Sequence, residues 1–160
     1  VTDGPTSFGE DVPVAPTPAT GPSALSGLLA DFAAARDEHE TQEFDVPGKP
    51  GVTIRYSTDL PYEMIAAWRK SAVGSPAPEL RFGLSLLGYA CRGILTEGEA
   101  VTDAGEPVTF VTPSLHAGLG VTNTADAVRA FYGKDAYILA SYNAVLLAAG
   151  YGAEVSPTTR

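Results

Sequence analysis

The stretch Glu79-Leu-Arg-Phe-Gly-Leu-Ser-Leu-Leu-Gly-Tyr-Ala-Cys-Arg-Gly-Ile-Leu95 carries the clearest periodicity in the chain. Leu80, Leu84, Leu87, Cys91 and Ile94 recur every three or four residues, and Leu86 and Leu95 broaden the stripe. That spacing lines one side of an α-helix, so the sequence predicts a central core helix over 79–95. Cys91 falls on its apolar phase, where cysteine behaves as a small buried hydrophobe.

Working outward, Glu43-Phe-Asp-Val46 and Val52-Thr-Ile-Arg-Tyr-Ser57 alternate around Pro47-Gly-Lys-Pro-Gly51 and read as a hairpin, with Val52, Ile54 and Tyr56 on one face. Asp59-Leu-Pro-Tyr-Glu63 is a helix start, with Asp59 or Leu60 near the cap and Pro61 in the first turn. Ile65, Trp68 and Ala72 mark its buried face, and Gly74-Ser-Pro-Ala-Pro78 ends it. Trp68 has two readings, a core residue or an interface anchor. Downstream of the central stretch, 97–110 reads as a second short hairpin turning at Asp103-Ala-Gly105. Thr112-Pro113 opens a short helix that Gly120 stops. Thr124 caps another, bearing Ala125, Val128, Phe131 and Tyr132, and a last helix carries Ile138, Leu139, Tyr142, Val145, Leu146 and Ala149 up to Gly150. The expected fold is mainly α (α+β): a compact helical domain over 43–152 with one or two small β-hairpins, preceded by a flexible acidic N-terminal arm.

That arm differs in composition from the rest. Residues 1–50 hold nine acids and two bases, and so carry −7 of the net charge of −9. They also hold seven of the 13 prolines, including the run Val12-Pro-Val-Ala-Pro-Thr-Pro-Ala-Thr-Gly-Pro22. Proline fixes its own φ and biases its predecessor towards extended conformations, so 1–22 is expected to be a disordered arm. Over 23–42, Ser23 can cap a helix on which Leu25, Leu28, Leu29 and Phe32 fall at i, i+3, i+4 and i+7. This amphipathic stripe either packs on the protein's own core or docks in the groove of a partner. Residues 153–160 read as a flexible polar tail.

Composition excludes several function classes. One cysteine in 160 residues allows no internal disulfide and no cysteine-based zinc site. A pI near 4.5 has the wrong sign for neutralising nucleic-acid phosphates or docking on anionic lipid. No apolar run nears the roughly 20 residues that span a bilayer. Val1-Thr-Asp-Gly-Pro5 shows no basic or apolar leader pattern, and a cytosolic protein is expected. His39 and His116 have no second histidine or cysteine at metal-ligand spacing, and His116 is read as a surface residue. Ser114 and His116 lie too close in sequence to build a nucleophile and base, and no Gly-x-Ser-x-Gly elbow occurs. Gly118-Leu-Gly120 follows a helix where a dinucleotide fingerprint needs a strand, so its glycines are helix punctuation. Glu97, Glu99, Asp103 and Glu106 lack the ligand alternation of a calcium loop and read as a solvated hairpin tip. No enzyme, metal or cofactor is expected.

Phe44-Asp-Val-Pro-Gly-Lys-Pro-Gly-Val-Thr-Ile-Arg-Tyr-Ser-Thr-Asp-Leu-Pro-Tyr-Glu-Met-Ile-Ala-Ala-Trp-Arg-Lys70 resembles small proteins of tailed phages of actinobacteria, in which a hairpin is followed by a helix ending in a Trp-Arg-Lys-like run. Cys91-Arg-Gly-Ile94, Gly105-Glu-Pro-Val-Thr-Phe110, Ala127-Val-Arg-Ala-Phe-Tyr-Gly133 and Val145-Leu-Leu-Ala-Ala-Gly-Tyr-Gly152 fit the same pattern. Over roughly 44–152 the chain is therefore similar to tail assembly chaperones of the siphophage type. The resemblance implies a non-enzymatic helper that binds and solubilises the tape measure protein and helps recruit tail tube subunits. It acts in the host cytoplasm and is absent from the mature virion. The alternative is a minor virion component such as a head–tail connector. Leu25, Leu28, Leu29 and Phe32 are the candidate partner-binding residues, with self-association as a further use.

Overall fold

The computed structural model describes residues 22–39 and 41–152. The expected disordered arm lies almost wholly outside these residues, and the expected C-terminal tail lies wholly outside them. The described elements run α1 (Pro22–His39), β1 (Thr41–Asp45), β2 (Val52–Ser57), α2 (Tyr62–Ala72), α3 (Pro78–Ala90), β3 (Cys91–Thr96), β4 (Glu99–Ala100), β5 (Thr102–Asp103), β6 (Glu106–Pro107), α4 (Pro113–Leu119), α5 (Thr124–Tyr132) and α6 (Asp135–Ala148). The fold is α+β, with six helices and small antiparallel sheets among the described residues. α1 belongs to one compact unit and everything from β1 onward to another.

In the larger unit, the Pro47–Gly51 turn folds β2 back onto β1. Gly48 and Gly51 take φ of 77° and 80°, values that a residue with a Cβ resists. Phe44 pairs with Ile54 and Glu43 with Arg55, whose guanidinium meets the Glu43 carboxylate at 3.2 Å. β2 also pairs with β3, Ile54 opposite Ile94, and β3 with β4, giving one sheet in the order β1-β2-β3-β4. β5 and β6 pair separately across the turn at Asp103-Ala-Gly105, as the sequence predicts.

The central helix is shorter than expected. α3 ends at Ala90, and Cys91 turns extended (φ −65°, ψ 126°) to begin a strand. The apolar phase runs unbroken through the junction because the same residues suit both states. Leu86 and Leu87 are buried on the helix, and Cys91, Ile94 and Leu95 are buried on the strand. Arg92 is the extra residue where the register shifts opposite Arg55 and Tyr56, a bulge that turns its side chain outward. Cys91 is buried as expected, but in the sheet and not on a helix.

Three boundaries also move. α1 spans Pro22–His39, so Ser23 lies inside the helix with proline ahead of it, and Thr41 and Gln42 belong to β1. α2 starts at Tyr62 with Pro61 in the cap position, and Asp59 lies ahead of it with its N–H donating to Ser57 Oγ at 3.2 Å. α5 is capped by Asn123, whose Oδ1 accepts from the Asp126 N–H at 2.8 Å, and not by Thr124. Gly120 and Gly150 end α4 and α6 as predicted, and Gly133 ends α5 in the same left-handed conformation.

α3 is the hub: α2, α5, α6 and strand β2 all pack on it. Phe82 meets Tyr142 edge-on at 5.5 Å, and Gly83 beside it lets the ring in close. Phe110 stacks edge-on against Phe131 at 5.4 Å. After Gly150 the chain returns, and Tyr151 donates its hydroxyl to the Leu60 carbonyl at 2.6 Å, fastening the end of α6 to the entry of α2. Among the described residues no helix is long and apolar enough to cross a membrane.

Candidate protein-docking surface

Alanine-rich sequence makes α1 a helix, and helical spacing sets Leu25, Leu28, Leu29 and Phe32 along one side of it. All four are exposed, at 56%, 48%, 55% and 62%, whereas Leu86 and Leu87 of α3 are at 0%. Every described side chain of α1, from Ala24 to Ala34, is exposed. Helices in proteins draw most of their stability from a packed apolar face and less from propensity, and α1, of 18 residues, leaves that face exposed. Fully burying a leucine or phenylalanine contributes roughly 1.5–3 kcal/mol, so four half-covered ones offer a partner several kcal/mol. The structure brings all four predicted residues together on one exposed side. Its chemistry is apolar contact only.

A second surface lies within the larger unit. Trp68 of α2, Gly88 and Tyr89 of α3, Val111 ahead of α4, and Thr124 and Ala125 of α5 line an open groove of about 360 Å³. The Trp68 and Tyr89 rings lie 5.2 Å apart, and the Arg92 guanidinium sits over Tyr89 at 5.4 Å while donating to the Tyr89 carbonyl at 2.7 Å. Gly88 forms the floor, where a Cβ would fall 2.7 Å from the Thr124 methyl. Trp68 is half-buried: it packs against the core, as one reading has it, and also lines the groove. Tyr89 and Val111, which sequence reasoning did not single out, are 40% and 62% exposed. Tyr89 stands off the apolar phase of α3, which is the one local signal of its exposure.

Tyr56, Cys91 and Tyr132 are titratable groups held inside the core. Tyr56 and Tyr132 share a buried hydroxyl–hydroxyl hydrogen bond of 2.7 Å, and the Ser141 hydroxyl also bonds Tyr132. Burial is the main cause that raises both phenols above their ordinary range, with the neighbouring hydroxyl adding to the rise at Tyr56. Burial also pushes the Cys91 thiol up to about 11, against the pull of the Phe110 and Gly93 backbone and Arg92. A thiol so placed is a poor nucleophile at neutral pH. A ring nitrogen of His116 meets the Phe110 carbonyl at 2.6 Å, which ties α4 to the preceding loop. Ser114 faces solvent. Among the described residues no group of three or more His, Cys, Asp or Glu is placed to hold a metal ion.

Compared with known proteins, the chain matches no family model, no curated protein and no solved structure.

Proposed function

We propose that the protein is a tail assembly chaperone of a tailed phage of actinobacteria. In this reading it binds the tape measure protein, keeps that long helical protein soluble, and helps recruit tail tube subunits around it. It works in the host cytoplasm, without enzymatic chemistry, and leaves before the particle is complete. The observation that carries the reading is the exposure of Leu25, Leu28, Leu29 and Phe32 together on one helix. A helper of this kind must offer apolar surface to an apolar helix while staying dispersed itself, and an exposed apolar helix in a chain of net charge −9 supplies both. The resemblance of 44–152 to such chaperones supplies the class of partner.

Co-expression with the tape measure protein encoded beside it tests the reading. The expected result is a soluble complex recovered on the tagged chaperone, and no trace of the chain in purified virions by mass spectrometry. An insoluble tape measure protein, together with the chain present in virions, favours a minor virion component instead.

A further inference from the structure

The groove at Trp68 continues along α3. Leu84 lines it and also lines an adjoining hollow of about 270 Å³ that reaches Pro76, Leu80, Arg81 and Arg129. Leu80, Leu84 and Gly88 fall at i, i+4 and i+8 on α3, and Ala125 and Arg129 at i and i+4 on α5, so the two stretches follow one face of each helix. At 1.5 Å per residue, the α3 floor from Leu80 to Gly88 is about 12 Å long. Its charge runs against that of the chain. Arg81 and Arg129 line one stretch, and the Arg92 guanidinium stands over Tyr89 at the end of the other. No carboxylate is among the described residues that line either stretch, in a chain of 19 acids and ten Lys or Arg. Arg81 has no ion-pair partner among the described residues. Arg129 meets Asp135 at 3.4 Å, but the two side chains are 51% and 55% exposed, and such a pair contributes little. Glu79 and Asp135 line the next hollow, beyond Leu80, where the arginine stretch ends.

We infer that this groove holds an amphipathic helix of a partner protein, its apolar stripe on Leu80, Leu84 and Trp68 and its glutamate or aspartate side chains beside Arg81 and Arg129. The site lies wholly in the larger unit and shares no residue with α1, so it goes beyond the chaperone reading and does not rest on it. A floor of one helix with walls from two others is the shape that helix-in-groove recognition uses, and leucines at i and i+4 match its spacing. Tryptophan, tyrosine and arginine concentrate binding energy at interfaces, and the groove presents Trp68, Tyr89 and three arginines. Charge decides the occupant. Carboxylates gain attraction at Arg81 and Arg129, whereas a lysine-flanked helix would meet like charge there. A second copy of this chain would bring one net charge of −9 against another. Two or three partly screened pairs together are worth about tenfold in affinity.

The test uses the full chain and two labelled synthetic helices of equal length and the same leucine stripe, their flanks filled with glutamate or with glutamine. Binding is followed by fluorescence anisotropy at low and high salt. The net charge of −9 taken alone disfavours the glutamate helix, so the groove makes the opposite prediction. The glutamate helix is expected to bind about tenfold more tightly than the glutamine helix, with the difference collapsing at high salt. Arg81→Gln with Arg129→Gln should erase that preference. Tyr89→Ser with Val111→Ser, both at exposed side chains, should weaken the glutamate helix about tenfold while circular dichroism shows the same melting temperature. Leu28→Ser with Phe32→Ser, on α1, should leave the preference in place, which separates the groove from that helix. Equal or tighter binding of the glutamine helix would overturn the charge assignment. A preference that survives Arg81→Gln/Arg129→Gln, or binding that Tyr89→Ser/Val111→Ser leaves unchanged, would overturn the site. Light scattering that shows oligomers lost in the Tyr89→Ser/Val111→Ser chain, with neither peptide able to compete, would make a second copy the occupant and overturn the proposal. A glutamate preference that holds while the co-expressed tape measure protein stays insoluble leaves the groove standing and removes only the chaperone reading.

Discussion

Ala104 and Gly105 form the two-residue turn between β5 and β6, with φ of 54° and 83°. Both values are left-handed, as the turn twist of a tight hairpin requires, and the first belongs to a residue that pays about 1 kcal/mol for it. Ala104→Asn, which tolerates this conformation, is therefore expected to stabilise the protein by up to about 1 kcal/mol, read as a rise in the denaturation midpoint. The buried thiol and phenols set a second residue-scale expectation. Their acid forms are neutral, and the fold favours those forms, so their contribution is fully present below the ordinary pKa values and is lost as pH rises. For Cys91 the window opens at 9.0 and closes at about 11, corresponding to about 3 kcal/mol withdrawn above the upper value. Tyr56 and Tyr132 add to the loss from their ordinary value of 10.0 upward. Thermal melting should hold steady to about pH 9 and fall beyond it, and Cys91→Ala should flatten the first part of that fall.

At the scale of the element, the same substitution should have opposite signs on two helices. A Cβ on Gly83 of α3 would lie 2.6 Å from Cδ2 of the buried Tyr142 ring, and nothing lies within 4 Å of one on Gly27 of α1. Gly83→Ala is expected to cost about 1–2 kcal/mol net of its better helix propensity, whereas Gly27→Ala should gain up to about 1 kcal/mol of helix stability. Urea titration reads the first and helical circular dichroism the second. What the sequence discloses and hides also sorts by element. The turns at Pro47–Gly51 and Asp103–Gly105 and the stops at Gly120 and Gly150 are legible because glycine and proline act locally. The change from α3 to β3 is not legible, because no proline or glycine stands at the Ala90–Cys91 junction and the apolar phase continues through it. What makes 91–96 a strand is pairing with β2, some forty residues earlier in the chain, and no local pattern records that. The apolar stripe of α1 is readable from spacing alone, although its exposure is not. The Trp68 groove escapes the sequence because its walls come from α2, α3, α5 and the segment before α4.

The whole chain divides into two compact units. The larger carries the packed core around α3, and the smaller carries the exposed apolar helix together with six of the 19 acids and one of the ten bases. The proposed function rests on the four large apolar side chains that this helix leaves exposed, in a chain of net charge −9. The most direct measurement of that claim is the soluble fraction of the co-expressed tape measure protein with the native chain and with the Leu25→Ser/Leu28→Ser/Phe32→Ser chain. The account predicts soluble partner with the first and a fall of about tenfold or more with the second, the larger unit melting at the same temperature in both. Equal soluble partner with both chains would contradict it.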